Sequence, residues 1–390
     1  MSELTKYSMV KNEIKSWIYE GKVKPGEKIH SENELMKIFD VSRHTIRQAI
    51  GDLVHEGLLY REQGSGTYCS HRLQLSEKGR ERNKMIGVIT TYLSDYIFPS
   101  IIRGIESSLS SAGYTLVVAS TNNDIEKEKQ CLVNMLDKKI DGLIVEPTKT
   151  GSFNPNLNYY LTLEQHHIPY LMINQLYQEL NPPHFILDDE HGGFIATEHL
   201  IKLGHEKVFG FFKQDDMQGV NRMKGFIRAF RENGLSFYPE MVVTYTTENK
   251  KEKTIAEARK RLSSADRPTA IFCYNDEIAL IVLDVVREFG LKVPDDISIV
   301  GYDDSHLSEA SEVKLTSVTH PKMQMGIEAA KWMIAKVEGR NTDKLEHSTV
   351  YKPELVVRHS TAKPKSRLIS FTHTSDSSIR LLSLPTARQK

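Results

Sequence analysis

No apolar run in this 390-residue chain approaches the length needed to cross a bilayer, and none at its start resembles a secretion signal. Cysteine is scarce. Cys69, Cys131 and Cys273 are odd in number, far apart and without a CxxC spacing, which fits a reducing cytosol and argues against both a disulfide framework and a zinc site. No P-loop, nucleophile elbow, metal-ligand pair or dinucleotide glycine motif occurs, and the short "GSG" at 64–66 does not make a phosphate cradle. Net charge is also missing, since 51 Lys and Arg balance 51 Asp and Glu. These absences predict a soluble cytoplasmic protein that is not an enzyme, holds no metal or cofactor and does not meet a membrane.

The charge is unevenly placed. Residues 1–84 carry 15 basic against 12 acidic residues, with the whole excess inside 71–84. Residues 85–362 carry 30 against 38, and residues 363–390 carry six against one. The long middle is acidic, so a nucleic-acid contact must come from local arrangement at the N-terminus.

That arrangement is visible in "DVSRHTIRQAIGDL", Asp40 to Leu53. Ile46, Ala49, Ile50 and Leu53 follow the i, i+3, i+4, i+7 pattern of a helix with one buried face, while Arg43, His44, Thr45 and Arg47 crowd its first turn with donors. Ser42 reads as the N-cap. Upstream, Val10, Ile14, Trp17 and Ile18 share one helical face, and "HSENELMKIF" opens with Ser31 and Glu34 spaced as a capping box. Downstream, "GLLYREQGSGTYCS" reads as a hairpin around a glycine-bearing loop. A solvated cationic face on an ordinary helix would show the same donors. The capped helix, short turn and hairpin around it favour a winged helix-turn-helix, whose recognition helix places N-terminal side chains against base edges.

The run "GEKIHSENELMKIFDVSRHTIRQAIGDLVHEGLLYREQGSGTYC" resembles the DNA-binding domain of the GntR family of bacterial repressors, over about 65 residues. The resemblance implies DNA contacts by Ser42, Arg43, His44, Thr45 and Arg47, by Gln63 and Gly64 at the wing tip, and by Lys6 and Tyr7 on the backbone. Asn33 belongs to this set although some relatives carry Arg there, and His30 replaces the usual Pro.

From Met85 the pattern changes to short apolar runs alternating with amphipathic segments. The runs are "MIGVIT", "YTLVVAS", "DGLIVEP", "PYLMIN", "HFILDD", "KVFGFF", "TAIFCYN" and "SIVGYDD". Such alternation predicts buried parallel sheet with helices on both faces, and eight strands suit two lobes better than one. The expected organisation is a head at 1–70, a linker at 71–84, an effector-binding and dimerisation body at 85–362, and a disordered tail at 363–390.

Polar groups end several of these runs, where open α/β sheets bind ligands: Glu146, Asn174, Asn275, Asp276, Asp303 and Asp304. Carboxylates and amides suit the donor and acceptor hydroxyls of a sugar, and Tyr92, Tyr96 and Phe98 offer flat faces to its C–H groups. Each has a plainer reading. Asp276 precedes a helix and could be its N-cap, Glu146 before Pro147 could be a solvated turn residue, and Phe98 alone could be core. The histidines of "TEHLIKLGHEK" read as structural.

The body resembles the LacI/GalR sugar-sensing domain through "GIESSLSSAGYTLVVASTNND", "LDDEHGGFIATEHLIKLGHEKV", "RMKGFIRAF" and "LTSVTHP" among others. The fold class expected is therefore multidomain, a winged helix-turn-helix followed by a two-lobed α/β domain like the periplasmic binding proteins. The resemblance makes Arg222, Asn275 and Asp303 effector contacts, with Tyr92, Asp95, Tyr96, Phe98 and Glu146 beside them, and His320 standing where relatives often have Gln. A GntR-type head on a LacI-type body, with "TTYLSDYIFPSIIRGIES" and "CYNDEIAL", resembles the arabinose-responsive repressors. It implies a homodimer on near-palindromic double-stranded operator DNA, released when L-arabinose binds between the lobes. Another sugar or a purine is the alternative effector for the same body.

Overall fold

The computed structural model describes residues 6–70, 82–93, 96–340 and 348–365. The expected linker therefore lies mostly outside the described residues, as do Asp95 and nearly all of the tail.

The head is α1 (Lys6–Tyr19), α2 (Glu32–Phe39), α3 (Arg43–His55) and a hairpin of β1 (Leu59–Glu62) and β2 (Gly66–Cys69). Ser31 and Glu34 form the capping box that the sequence predicts, and Ser42 caps α3 by accepting from the Thr45 backbone N–H. Val10, Ile14, Leu35, Ile46, Ala49, Ile50 and Leu53 are buried together as the core of this small unit.

The body holds two six-stranded sheets. The first lobe contains β3 (Met85–Thr90), α4 (Phe98–Ser111), β4 (Thr115–Ser120), α5 (Ile125–Asp137), β5 (Gly142–Val145), α6 (Leu157–Gln165), β6 (Tyr170–Asn174) and β7 (His184–Leu187). The chain then crosses to the second lobe: α7 (Asp189–Lys202), β8 (Val208–Lys213), α8 (Met217–Glu232), β9 (Val242–Tyr245), α9 (Lys250–Leu262), β10 (Ala270–Cys273), α10 (Asp276–Glu288), β11 (Ser298–Asp303), α11 (His306–Ala310) and β12 (Thr316–Thr319). It returns as α12 (Lys322–Val337) and β13 (Thr349–Tyr351) before β14 (Leu355–Val356) closes the second sheet.

The strand orders are β13-β7-β6-β5-β3-β4 and β14-β12-β11-β10-β8-β9, parallel except where β14 meets β12. All eight predicted runs are strands. Four strands escaped the sequence reading: β9, β12, β13 and β14 are two to four residues long and three of them lie at sheet edges, where an apolar run is not required. The α12 helix packs on α4 of the first lobe, so three chain crossings join the lobes. The α7 and α8 helices approach closely because Gly193 and Gly225 carry no Cβ; one at Gly225 would collide with the Glu190 carbonyl oxygen.

Candidate functional site

Two surfaces carry the chemistry. On the head, Lys6, Asn33, Ser42, Arg43, His44, Arg47, Gln63 and Gly64 are exposed, while Tyr7 and Thr45 are half-buried. Several have partners already. Tyr7 donates its hydroxyl to Asp52 on α3, Arg43 donates to the Asn33 amide oxygen, and Arg47 Nε donates to both carboxylate oxygens of Glu32 at 3.1 and 2.9 Å. The Ser42 hydroxyl is engaged as the cap and lies 2.9 Å from Thr45 Oγ1. Gly64 takes φ +77° at the wing tip, a left-handed turn that glycine adopts without a Cβ penalty. The helix thus presents its N-terminus, two exposed guanidinium groups and His44, a fit to phosphates and base edges.

The second surface is a cleft of about 800 Å³, open mouth included, between the lobes. Tyr92, Tyr96, Phe98, Glu146, Asn275 and Asp303 all line it. Lys213, Gln175, Thr91, Asp216 and Tyr274 line it as well, and the sequence reading missed them. The strand-end rule that found Glu146 would have found Thr91, Gln175 and Lys213, each at or just past the end of β3, β6 or β8.

Glu146 is 3 % exposed, which removes the solvated-turn reading. It accepts from the Thr91 N–H and hydroxyl at 2.9 and 2.5 Å and from Asn174 Nδ2 at 2.8 Å. Burial still pushes its carboxyl up, because these donations only partly replace water. Lys213 faces Asp216 at 2.9 Å and Asp215 at 3.7 Å; burial lowers its ammonium, and the two carboxylates more than reverse that.

Arg222 is not part of the lining. It is 1 % exposed, between the rings of Tyr274 and Tyr302, with its carbon 4.6 and 3.6 Å from the two centroids. Nε donates to Asp189 at 2.8 Å, Nη1 to the Tyr274 carbonyl at 2.6 Å and Nη2 to Asp303 at 3.1 Å. Three of its five donors hold Asp189, the Tyr274 carbonyl and Asp303 in place beneath the cleft, so it positions the lining residue Asp303. Burial raises Asp189 to about 6, against the pull of Arg222.

His320 also stands behind the lining. Its Nε2 meets Asn174 Oδ1 at 3.0 Å, joining the lobes, and Nδ1 is buried with no partner among the described residues. Asn174 gives its N–H to Glu146, so Oδ1 is the acceptor, His320 Nε2 carries the proton, and Nδ1 presents a lone pair. Burial, with Lys322 and Arg222 nearby, holds this imidazole neutral.

Two further predictions resolve. The cap of α10 is Asn275, which accepts from Ile278 N–H, and not Asp276. Asp276 instead accepts from Ser305 N–H and Oγ at 2.8 Å and from Ser317 Oγ at 2.7 Å. The Asp pair divides its work, with Asp303 in the lining and Asp304 holding Arg358 at 2.7 Å. Tyr96 does more than offer a face: its hydroxyl donates to the Tyr302 carbonyl at 2.8 Å and accepts from Asp276 N–H at 3.1 Å, latching one lobe to the other. Tyr96, Asn174 and Asp303 all have positive φ, at 65°, 65° and 84°, backbone strain of about 1–3 kcal/mol each that concentrates at the cleft. His199 and His205 bond Thr361, Thr269 and the Ala362 carbonyl, a structural role.

Burial raises Asp276 to about 7 although Ser317 and Ser305 donate to it. Between pH 4 and 7 the folded chain therefore keeps a proton that the unfolded chain has released, and stability falls as pH rises through that window. Asp276→Asn is expected to flatten this slope in urea unfolding across the same range; an unchanged slope would assign the effect elsewhere.

Among the described residues no group of three or more His, Cys, Asp or Glu side chains could hold a metal ion, and no helix is long and apolar enough to cross a membrane.

Residues 6–69 match the bacterial regulatory proteins of the gntR family, and residues 197–361 match the periplasmic binding protein-like domain. The chain is 55 % identical over 367 residues to an arabinose metabolism transcriptional repressor of Halalkalibacterium halodurans, covering 93 % of this chain and 98 % of the relative. It is 50 % identical to another from Geobacillus stearothermophilus, covering 92 % and 98 %. Among solved structures, transcription regulator CcpA of Lactococcus lactis superposes with a TM-score of 0.64 at 23 % identity, over 72 % of this chain and all of that one. The cellobiose complex of transcriptional regulator CelR gives 0.63 at 23 % identity, over 82 % and 91 %. These two likenesses concern the fold.

Proposed function

The chain belongs to the family of arabinose metabolism transcriptional repressors, sugar-responsive regulators and not enzymes, and from that premise we propose that its effector is L-arabinose, bound in the cleft, and that binding releases operator DNA. The observation that carries the reading is the cleft itself. Glu146, Asn275, Asp303 and Lys213 converge with the faces of Tyr92 and Phe98 in one space between the lobes. That combination pairs directional donors and acceptors with flat apolar surface, as a small polyol ring requires.

The protein works in the cytoplasm as a homodimer, with two heads on paired half-sites of a near-palindromic operator. Effector that favours one arrangement of the lobes shifts the heads away from the spacing that fits DNA, and the coupling is reciprocal. Emptying a nearly saturated operator needs about 5.5 kcal/mol of differential affinity, which sets the scale for the lobe contacts.

A mobility-shift titration of operator with and without L-arabinose tests the sign of the response, and retained binding at saturating sugar would reverse it. Calorimetry against pentoses, hexoses and purines tests the identity. Lys6→Ala is expected to weaken operator and random DNA alike and to reduce the salt slope of binding by about one, because an exposed lysine on phosphate carries no sequence information.

A further inference from the structure

The head does not merely follow the body along the chain; it is seated on it. Lys15 Nζ meets Asp137 Oδ2 at 2.5 Å, and Tyr19 donates to the same carboxylate at 3.0 Å. The Tyr159 hydroxyl donates to Glu20 at 2.8 Å and lies 2.8 Å from Ser16 Oγ, while Lys129 Nζ reaches Glu20 at 2.9 Å. Thr162 Oγ1 donates to the Tyr19 carbonyl at 2.6 Å. Lys15 is 4 % exposed, Ser16 2 % and Tyr159 0 %, so the contact excludes water. Burial alone would raise the Glu20 carboxyl, yet donations from Lys22, Ser16, Lys129 and Tyr159 hold it at about 2. Opposite charges and matched donors thus join the C-terminal end of α1 to α5 and α6 of the first lobe.

The seat continues inward to the cleft. Next to Tyr159, the Tyr160 hydroxyl donates to Glu128 at 2.9 Å, and Tyr177 donates to the same carboxylate at 2.6 Å. Tyr177 in turn receives the Thr148 N–H at 2.8 Å. Thr148 begins a first-lobe loop that touches the second lobe: Lys149 N–H bonds Asn123, whose amide donates to Thr247 at 2.6 Å, and Thr150 Oγ1 accepts from Met217 N–H at 3.0 Å. Glu128 and Lys129 are neighbours on α5, one facing this network and one gripping the head. With the head seated, Arg43, His44, Arg47 and Gln63 stay exposed, so the seat leaves the DNA face open.

We propose that α5 and α6 form a docking surface for the chain's own winged-helix head, and that this interface carries the movement of the lobes to the DNA-binding face. The second half of this statement rests on the functional reading above; the first does not.

The test uses the full chain carrying Ser16→Cys, since Cys69, Cys131 and Cys273 are all buried. Docking predicts that the introduced thiol reacts with a small disulfide reagent about tenfold more slowly than when Lys129→Glu and Asp137→Lys are added to release the head. Re-pairing with Glu20→Lys on the Lys129→Glu chain is expected to restore protection. Fast reaction in the otherwise unchanged chain would overturn docking, with no sugar or DNA involved. In operator titrations the K129E/D137K chain is expected to bind DNA within about threefold of the parent and to lose roughly tenfold or more of its response to L-arabinose. A full response with the thiol released would overturn the coupling. Absence of a response in the parent itself would overturn the functional reading instead, and thiol protection would still decide the docking.

Discussion

Arg222→Met is expected to destabilise the body by about 3–5 kcal/mol and to abolish the effector response, because it leaves two buried carboxylates facing each other without their cation. Asp189 and Asp303 are 4 % and 3 % exposed and both bond the guanidinium directly. Methionine fills comparable volume, so the loss reports charge and not a cavity. It also removes the Nη1 bond to the Tyr274 carbonyl, which sets the turn into Asn275 at the cleft. Without the arginine the buried Asp189 carboxyl, already raised, rises further, so the deficit should shrink as pH falls toward the unfolded carboxylate range. Arg222→Lys is expected to rescue little, since one ammonium cannot reach three acceptors while stacking between two rings. Urea unfolding of the full chain and sugar calorimetry measure the two effects. A variant with parental stability and affinity would show that the buried pair does not hold the cleft.

Arg43 and Arg47 should each lose about 1–3 kcal/mol of operator affinity as alanine, and the loss should be larger on operator than on random DNA. Both are exposed and held in place by neighbours, Arg43 by Asn33 and Arg47 by Glu32. Such a surface ion pair is worth only about 0–1 kcal/mol, so a guanine edge or phosphate can displace it readily. Asn33 and Glu32 therefore aim the guanidinium groups before DNA arrives, and Glu32→Ala is expected to affect operator binding far less than Arg47→Ala. Equal loss on operator and random DNA would make Arg47 a phosphate contact only. Neither substitution touches the buried stripe of α3, so thermal stability should stay close to the parent's.

The helix-turn-helix was legible because its signals are local. A serine before the first turn, a glutamate three residues on and an apolar stripe need only their own neighbours, and Ser31, Glu34 and Ser42 behave as their spacing predicts. The eight strands were legible because both faces of a parallel sheet are buried, which writes continuous apolar runs into the chain. The short strands β9, β12, β13 and β14 were less so, since packing against a neighbour and not composition makes them strands.

The site divides along the same line. Residue types at strand ends identified Glu146, Asn275 and Asp303, because the carboxyl ends of a parallel sheet are where backbone leaves room for a ligand. That Arg222 stands behind the lining could not be read from "RMKGFIRAF". Burial depends on Tyr274 and Tyr302, which lie more than fifty residues away and close over Arg222 only after β10 and β11 are side by side. His320 and Asn174 likewise meet from different lobes.

The amino-acid sequence alone determined the two kinds of unit, the donors on the recognition helix and the polar ends of the strands, because capping and alternation act over one to two turns or strands. Tertiary structure decided which of those groups touch the cleft, which only hold it, and that the head rests on α5 and α6. Those outcomes depend on desolvation and on polar pairing between residues up to 206 positions apart, such as Tyr96 and Tyr302, and no local pattern encodes such a meeting.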